Sequence, residues 1–266
     1  MNLGLGDKVA LVTGSSQGIG HAIAAALAAE GCRVIITGRD PERLNEAKED
    51  IRKTGGRVHA VTGDALNPAD IEHVVKETVS HYRTLHILVN NVGGVGRFAP
   101  FHKLSDEDWE HVLRLNVMSA VRFTRAALPY MQRQQWGRII NIASESGLQP
   151  DPEMPHYNAS KGAILVLTKS LSKAYAADNI LINSVSPAFI RTPLVMDMMQ
   201  QEAEKKGLPV KKIIDLFLRQ KRPHIELKRP GEEKEVAAVV AFLASEVASF
   251  VTGANYRVDG GSVASV

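Results

Sequence analysis

Tyr157 and Lys161 stand four residues apart in the run His156-Tyr157-Asn158-Ala159-Ser160-Lys161. In a helix that spacing puts both side chains on one face. A phenol, with an ordinary pKa of about 10, is a poor base at neutral pH. An ammonium beside it favours the phenolate and brings proton exchange with a carbonyl or alcohol oxygen within reach. Of the five tyrosines, only Tyr157 has a lysine four residues on. Taken alone, such a pair is more commonly an exposed helical contact. Ser144 changes the weighting. It follows the apolar run 138–143, which places it at the carboxyl end of a strand, the side on which open α/β sheets bind ligands. Its hydroxyl could donate to a substrate carbonyl and stabilise developing oxyanion charge. A capping or turn serine is the plainer alternative, and Ser146 is a rival two residues away. Asn116 lies within an apolar-striped helix, where a buried amide needs partners. It is either a satisfied structural amide or a water-binding link in a proton path. Glu145 either lines a pocket or points into solvent. His156 could reach the pocket but reads better as a surface residue.

A second constellation lies near the N-terminus. The first apolar run leads directly into Thr13-Gly14-Ser15-Ser16-Gln17-Gly18-Ile19-Gly20, and a helical pattern follows. Glycines let the backbone turn sharply and approach a pyrophosphate, which the N–H groups of the helix start then receive. The expected cradle is Gly14, Ser16, Gln17, Gly18, Ile19 and Gly20. A glycine cluster alone is weak evidence, because tight strand–helix turns need glycine anyway. Its place after the first strand strengthens the reading of a dinucleotide site. The end of the second strand, Thr37-Gly38-Arg39-Asp40, selects between nicotinamide cofactors. An acid there accepts from a ribose 2′-hydroxyl, and an arginine pairs with a 2′-phosphate. Asp40-Pro41 also reads as an N-cap with proline in the first helical position. That reading leaves Arg39 to face the ribose, so NADP is expected over NAD.

These residues need a frame. Apolar, β-branched runs at 8–13, 33–37, 57–62, 85–90, 138–143, 181–186 and 255–258 alternate with helical patterns. Nearly continuous hydrophobicity suits strands buried on both faces of a parallel sheet. The expectation is one α/β domain over residues 1–266. It would be doubly wound and Rossmann-like, with a parallel sheet of about seven strands flanked by helices on both faces. Helices are expected at 21–30, 109–133 and 232–245, with a capping box at Ser105–Asp108. After Pro187 some 40 residues interrupt the alternation. Val210, Ile213, Ile214, Phe217 and Leu218 share one helical face, and Leu194, Val195, Met198 and Met199 suggest a shorter helix before it. This pair, near 190–222, is expected as a substrate lid or as an extra packing layer.

Composition bounds the alternatives. The 266 residues, 44% hydrophobic and 23% charged, are ordinary for a globular protein. A single cysteine, Cys32, excludes an intramolecular disulfide and a multi-cysteine zinc cage. Nine histidines without an His-x-x-x-His pair or a carboxylate cluster give no expectation of a metal. The first residues lack the order of a signal peptide, and no apolar stretch is long enough to span a membrane. A cytoplasmic location is therefore expected. A net charge of +3 is too mild to argue for nucleic acid. Residues 200–230 do hold nine Lys or Arg against four acids. They are either a solvated helix face or a surface that attracts an anionic substrate or carrier.

Taken in order, Thr13-Gly14-x-x-x-Gly18-Ile19-Gly20, Asp64, Asn90-Asn91-x-Gly93, Asn116, Ser144, Tyr157-x-x-x-Lys161, Pro187 and Thr192 resemble the short-chain dehydrogenase/reductase family over essentially the whole chain. The resemblance, nearest its 3-oxoacyl-reductase branch, implies Tyr157 as acid/base and Lys161 on the nicotinamide ribose. It implies Ser144 on the substrate oxygen and Asn116 on a relay water. It places Asp64 and Ala65 near the adenine, Asn90 near the adenosine ribose, and Pro187, Ile190 and Thr192 near the nicotinamide. It also implies a small carbonyl or alcohol substrate and a homotetramer or homodimer. Three positions depart from the family pattern. Val92 stands where alanine is frequent, Ala188 where glycine usually follows Pro187, and Gln17 where many NADP-dependent members carry a basic residue. A non-catalytic cofactor-sensing scaffold is the alternative from another class, but it would be expected to lose Tyr157, Lys161 or Ser144. Epimerising and dehydrating relatives tend to be longer.

Overall fold

The apolar runs form seven strands: β1 Val9–Thr13, β2 Arg33–Gly38, β3 Arg57–Thr62, β4 Ile87–Asn90, β5 Gly137–Ile142, β6 Ile180–Pro187 and β7 Asn255–Val258. They build one parallel sheet in the order β3-β2-β1-β4-β5-β6-β7. The computed structural model describes residues 2–265. Every residue of β1, β4, β5 and β6 is buried, whereas the edge strand β3 exposes its two ends and β7 exposes alternate residues. Continuous apolar runs are thus the central strands, covered on both faces.

Helices α1 Gly18–Ala29, α2 Pro41–Lys53 and α9 Glu233–Ala244 cover one face, over Val12, Val34, Ile36, Val89 and Ile140. Helices α3 Pro68–Tyr82 and α5 Ser119–Arg133 cover the other, over Leu11, Ile35, Leu88, Ile139 and Ile182. Helix α6, Pro155–Tyr175, packs against β6 beside α5. Chain order reverses between β1 and β4, and the crevice beyond their carboxyl ends is the ligand site of such sheets.

Two expectations about helices change in detail. The stretch expected as one helix over 109–133 is divided. Helix α4, Asp106–Leu113, gives way to a π-helical turn at Arg114–Met118 before α5. That wider turn carries Asn116, and such bulges recur at functional sites. The expected capping box is present, with Ser105 and Asp108 bonded reciprocally. After β6 come α7 Pro193–Lys206 and α8 Val210–Lys221. The first of these is the longer, not the shorter. They share a small core of Met199, Ala203, Ile213, Ile214 and Leu218, while Leu194 and Met198 remain exposed. Among the described residues no helix is long and apolar enough to cross a membrane.

Asp40 caps α2, its Oδ1 accepting from the Glu42 and Arg43 N–H groups at 3.1 and 3.2 Å. Asp40→Ala is therefore expected to cost about 1 kcal/mol of stability, read as a lower urea midpoint. NADPH binding should not weaken. A loss of binding greater than the loss of stability would return Asp40 to the cofactor.

Candidate active site

Tyr157 and Lys161 rise from the first turns of α6 beneath the end of β5. The Tyr157 phenol faces the Ser144 hydroxyl, two residues beyond the end of β5. Ser144 also accepts from the Ser146 N–H at 3.2 Å, so it is at once a turn-capping serine and the partner of the phenol. Glu145–Gly147 forms a tight 3-10 turn pressed onto α6. A Cβ at Gly147 would lie 2.8 Å from the main-chain carbon of Lys161, so only glycine allows this approach. Sequence reading passed over Gly147, although a glycine three residues after the candidate serine was a usable signal.

Lys161 is buried, its Nζ donating to the Ile142 carbonyl at 2.8 Å and lying 5.7 Å from the centre of the Tyr157 ring. Burial lowers its pKa to about 8, so it remains mostly charged at neutral pH. The phenol moves against expectation. Burial pushes the Tyr157 pKa above its ordinary value, the Ser144 hydrogen bond opposes this, and the Glu145 charge adds to it. Among the chain's own groups, desolvation outweighs the nearby positive charge. The phenol is thereby held as an acid, the form that protonates a carbonyl oxygen.

Asn116 resolves as a clamp. Its Oδ1 accepts from the Gly94 N–H at 2.8 Å, and its Nδ2 donates to the Gly94 carbonyl at 3.0 Å and to Ser160 Oγ at 2.8 Å. The side chain is thus satisfied, joining the loop after β4 to α6. Asn90 donates to Thr124 Oγ1 at 3.1 Å and Asn141 Oδ1 at 2.8 Å, so its side chain faces the core and only its main chain is left for a ribose. One expectation needs correction. His156 is fully buried against Trp109, not on the surface.

The second constellation forms a cleft of about 370 Å³ at the strand reversal, lined by Gly14, Ser16, Gln17, Arg39, Asp64 and Ala65, with Asn91 and Val92 opposite. Asn91 donates to the carbonyls of Thr13 and Gly14, both at 2.9 Å, and locks the glycine turn to β4. A Cβ at Gly20 would stand 2.4 Å from the Gly14 carbonyl oxygen, a collision of backbone with backbone. Whereas α2, α3 and α7 are capped by Asp40, Asn67 and Thr192, α1 has no side-chain cap. Its first N–H groups are left for an anion. Size, glycine approach and uncapped helix fit a dinucleotide. Arg39 is exposed at the rim, and Arg43, which sequence reading did not single out, reaches Gln17 Oε1 at 3.4 Å. Thr192 lies beside Gly18, Pro187 ends β6, and Ile190 bridges to Gly231.

Glu145 is buried. Its Oε1 lies 3.6 Å from Arg222 Nε, at the end of α8. Burial raises its pKa, with Ser262 and Arg222 offsetting part of the rise. Of the basic residues in 200–230, Lys206, Lys221, Arg222, Lys228 and Arg229 are all ion-paired. That pairing favours a solvated surface over a site for an anionic carrier.

With this geometry in place, the likenesses to known proteins can be weighed. Residues 8–203 match the short chain dehydrogenase family. The chain is 38% identical to the 3-oxoacyl-(acyl-carrier-protein) reductase FabG of Aquifex aeolicus, over 98% of this chain and 99% of that one. It is 36% identical to the D-beta-hydroxybutyrate dehydrogenase of Cupriavidus necator, again over 98% and 99%. Among solved structures, the L-sorbose reductase of Gluconobacter frateurii, complexed with NADPH and L-sorbose, superposes with a TM-score of 0.95. The two are 34% identical, and the match covers 100% of both chains.

Proposed function

The chain belongs to the short-chain dehydrogenase family, and we propose that within it this protein reduces a ketone to a secondary alcohol with NADPH. It is an NAD(P)-dependent oxidoreductase. The observation that carries the reading is the Tyr157 phenol set against Ser144, with the Nζ of the buried Lys161 5.7 Å from its ring centre. When bound, the reduced nicotinamide supplies a hydride to the carbonyl carbon. Ser144 holds the carbonyl oxygen, and Tyr157 delivers the proton to it as charge develops. Lys161 holds the nicotinamide ribose and restores the phenol's proton. Asn116 keeps the loop after β4 fixed to α6.

The whole chain works as one dinucleotide-binding and catalytic domain, supported by the single continuous sheet. Helices α7 and α8 are its lid, supported by Leu194 and Met198 left exposed just beyond Thr192. The protein works in the cytoplasm as a homodimer or homotetramer.

Arg39, with Arg43 behind it, selects NADPH by pairing with the 2′-phosphate. Arg39→Ala is expected to weaken NADPH about 10- to 100-fold in a fluorescence titration, the loss of one charge-assisted contact, with little change for NADH. Tighter NADH binding to the parent protein, indifferent to this substitution, would reverse the assignment. A carbonyl panel under the tighter cofactor then tests reduction itself. A 3-oxoacyl thioester is the second candidate substrate, favoured by the likeness to the Aquifex aeolicus reductase.

A further inference from the structure

Glu145 follows Ser144 immediately and is turned inward by the tight approach of Gly147 to α6. Glu145 is only 5% exposed, yet apart from the influence of the Ser262 hydroxyl its carboxylate is poorly matched. Oε1 stands 3.6 Å from Arg222 Nε, beyond a normal hydrogen bond. Arg222 commits its Nη1 elsewhere, to Asp151 at 2.5 Å and to the Lys221 carbonyl at 2.8 Å. Oε2 is buried and meets no donor in hydrogen-bonding geometry. A buried polar atom left unpaired costs about 1–3 kcal/mol, so an acceptor held open beside the reacting centre calls for a donor.

The surroundings say which donor. Glu145 borders a cavity of about 340 Å³ whose wall includes Ser146, Gln149, His224 and Ser262, the paired Asp151–Arg222 and Glu153–Lys221, and prolines between them. That volume suits a small molecule, and so polar a wall suits a polyhydroxylated one better than an alkyl chain. The other charged groups of this wall are paired with one another, Arg222 with Asp151 and Lys221 with Glu153, so the donor that Oε2 lacks is left to a ligand. Glu145 directly follows Ser144 in the chain, and its charge raises the Tyr157 pKa.

Resting on the reading of the chain as a ketone reductase, we infer that Glu145 is a specificity residue. It accepts a hydrogen bond from a substrate hydroxyl near the carbonyl, and the preferred ketones are hydroxyketones of the sugar type. Arg222, at the end of α8, holds the carboxylate in place from the lid side.

The test uses the full chain with NADPH and a matched pair, hydroxyacetone and 2-butanone, together with L-sorbose. One charge-assisted hydrogen bond predicts that the parent protein prefers hydroxyacetone about 10- to 100-fold in kcat/KM. In Glu145→Leu that ratio is expected to collapse to within about threefold, chiefly through KM for the hydroxyketone. Retained NADPH affinity confirms that the variant is folded. If Glu145→Leu does not fold, Glu145→Gln decides, with a ratio lowered several-fold in support and an unchanged ratio against. Equal kcat/KM for the two ketones in the parent protein, or turnover of 2-butanone alone, would overturn the inference and leave the reductase reading standing. NADPH oxidation with no ketone in the panel would overturn both.

Discussion

Tyr157→Phe is expected to lower the rate of NADPH-dependent ketone reduction by about 10³-fold while leaving NADPH affinity within about twofold of the parent protein. The substitution removes one oxygen and keeps the ring, so α6 retains its packing. What disappears is the phenol that faces Ser144. A positioned general acid contributes roughly 10²- to 10⁴-fold, and here it also anchors the hydroxyl that holds the substrate oxygen. The loss should therefore fall on kcat as well as on kcat/KM, the signature of an interaction made in the transition state. Ser144 would keep orienting the carbonyl and account for the residual rate. Steady-state kinetics beside a nucleotide titration separates the two quantities. A variant with normal turnover would remove Tyr157 from the chemistry, and one that no longer bound NADPH would make its role structural.

Gly20→Ala is expected to abolish measurable NADPH binding and to destabilise the fold by about 3 kcal/mol. The added methyl would sit 2.4 Å from the Gly14 carbonyl oxygen and 2.5 Å from Asn91 Nδ2. Neither is the free end of a flexible side chain. The carbonyl belongs to the glycine turn, and the Asn91 amide is held by two hydrogen bonds to that turn. Relief requires α1 to move away from β1, and overpacking of this kind costs about 1–3 kcal/mol even where neighbours can shift. Moving α1 withdraws the uncapped N–H groups that receive the pyrophosphate. Denaturant unfolding measures the first effect and fluorescence titration the second. Retention of both stability and affinity would show that the turn has room this geometry denies it.

The strands were legible because their signal is local. Seven continuous apolar runs can be buried on both faces in few ways, and all seven form the sheet within a few residues of their expected bounds. Tyr157 and Lys161 were legible for the same reason, since an i, i+4 spacing is a property of one helix. Contacts made across the fold were not. The π-helical turn around Asn116 depends on Gly94 and Ser160, far from it in sequence, and periodicity alone showed only an interrupted stripe. The direction of the Asn90 side chain was not legible, because a motif gives a residue's position and not its direction. Its amide finds Thr124 and Asn141 inside. His156 is buried because α4 folds over it through Trp109. Glu145 stayed open until Arg222, more than seventy residues on, was seen to face it. The direction of the Tyr157 pKa likewise depended on burial, which spacing does not report.

The most direct test of the proton-transfer claim is the pH dependence of single-turnover ketone reduction, compared between the parent protein and Tyr157→Phe. Reduction needs the phenol protonated, and burial raises its pKa. Apart from any change as Lys161 titrates near pH 8, which both proteins share, the parent rate should therefore hold through neutral pH and fall with a one-proton slope as more alkaline pH strips the phenol. In the variant this alkaline limb should vanish from a residual rate about 10³-fold lower. The same limb in both proteins would assign the proton to another group and contradict the account.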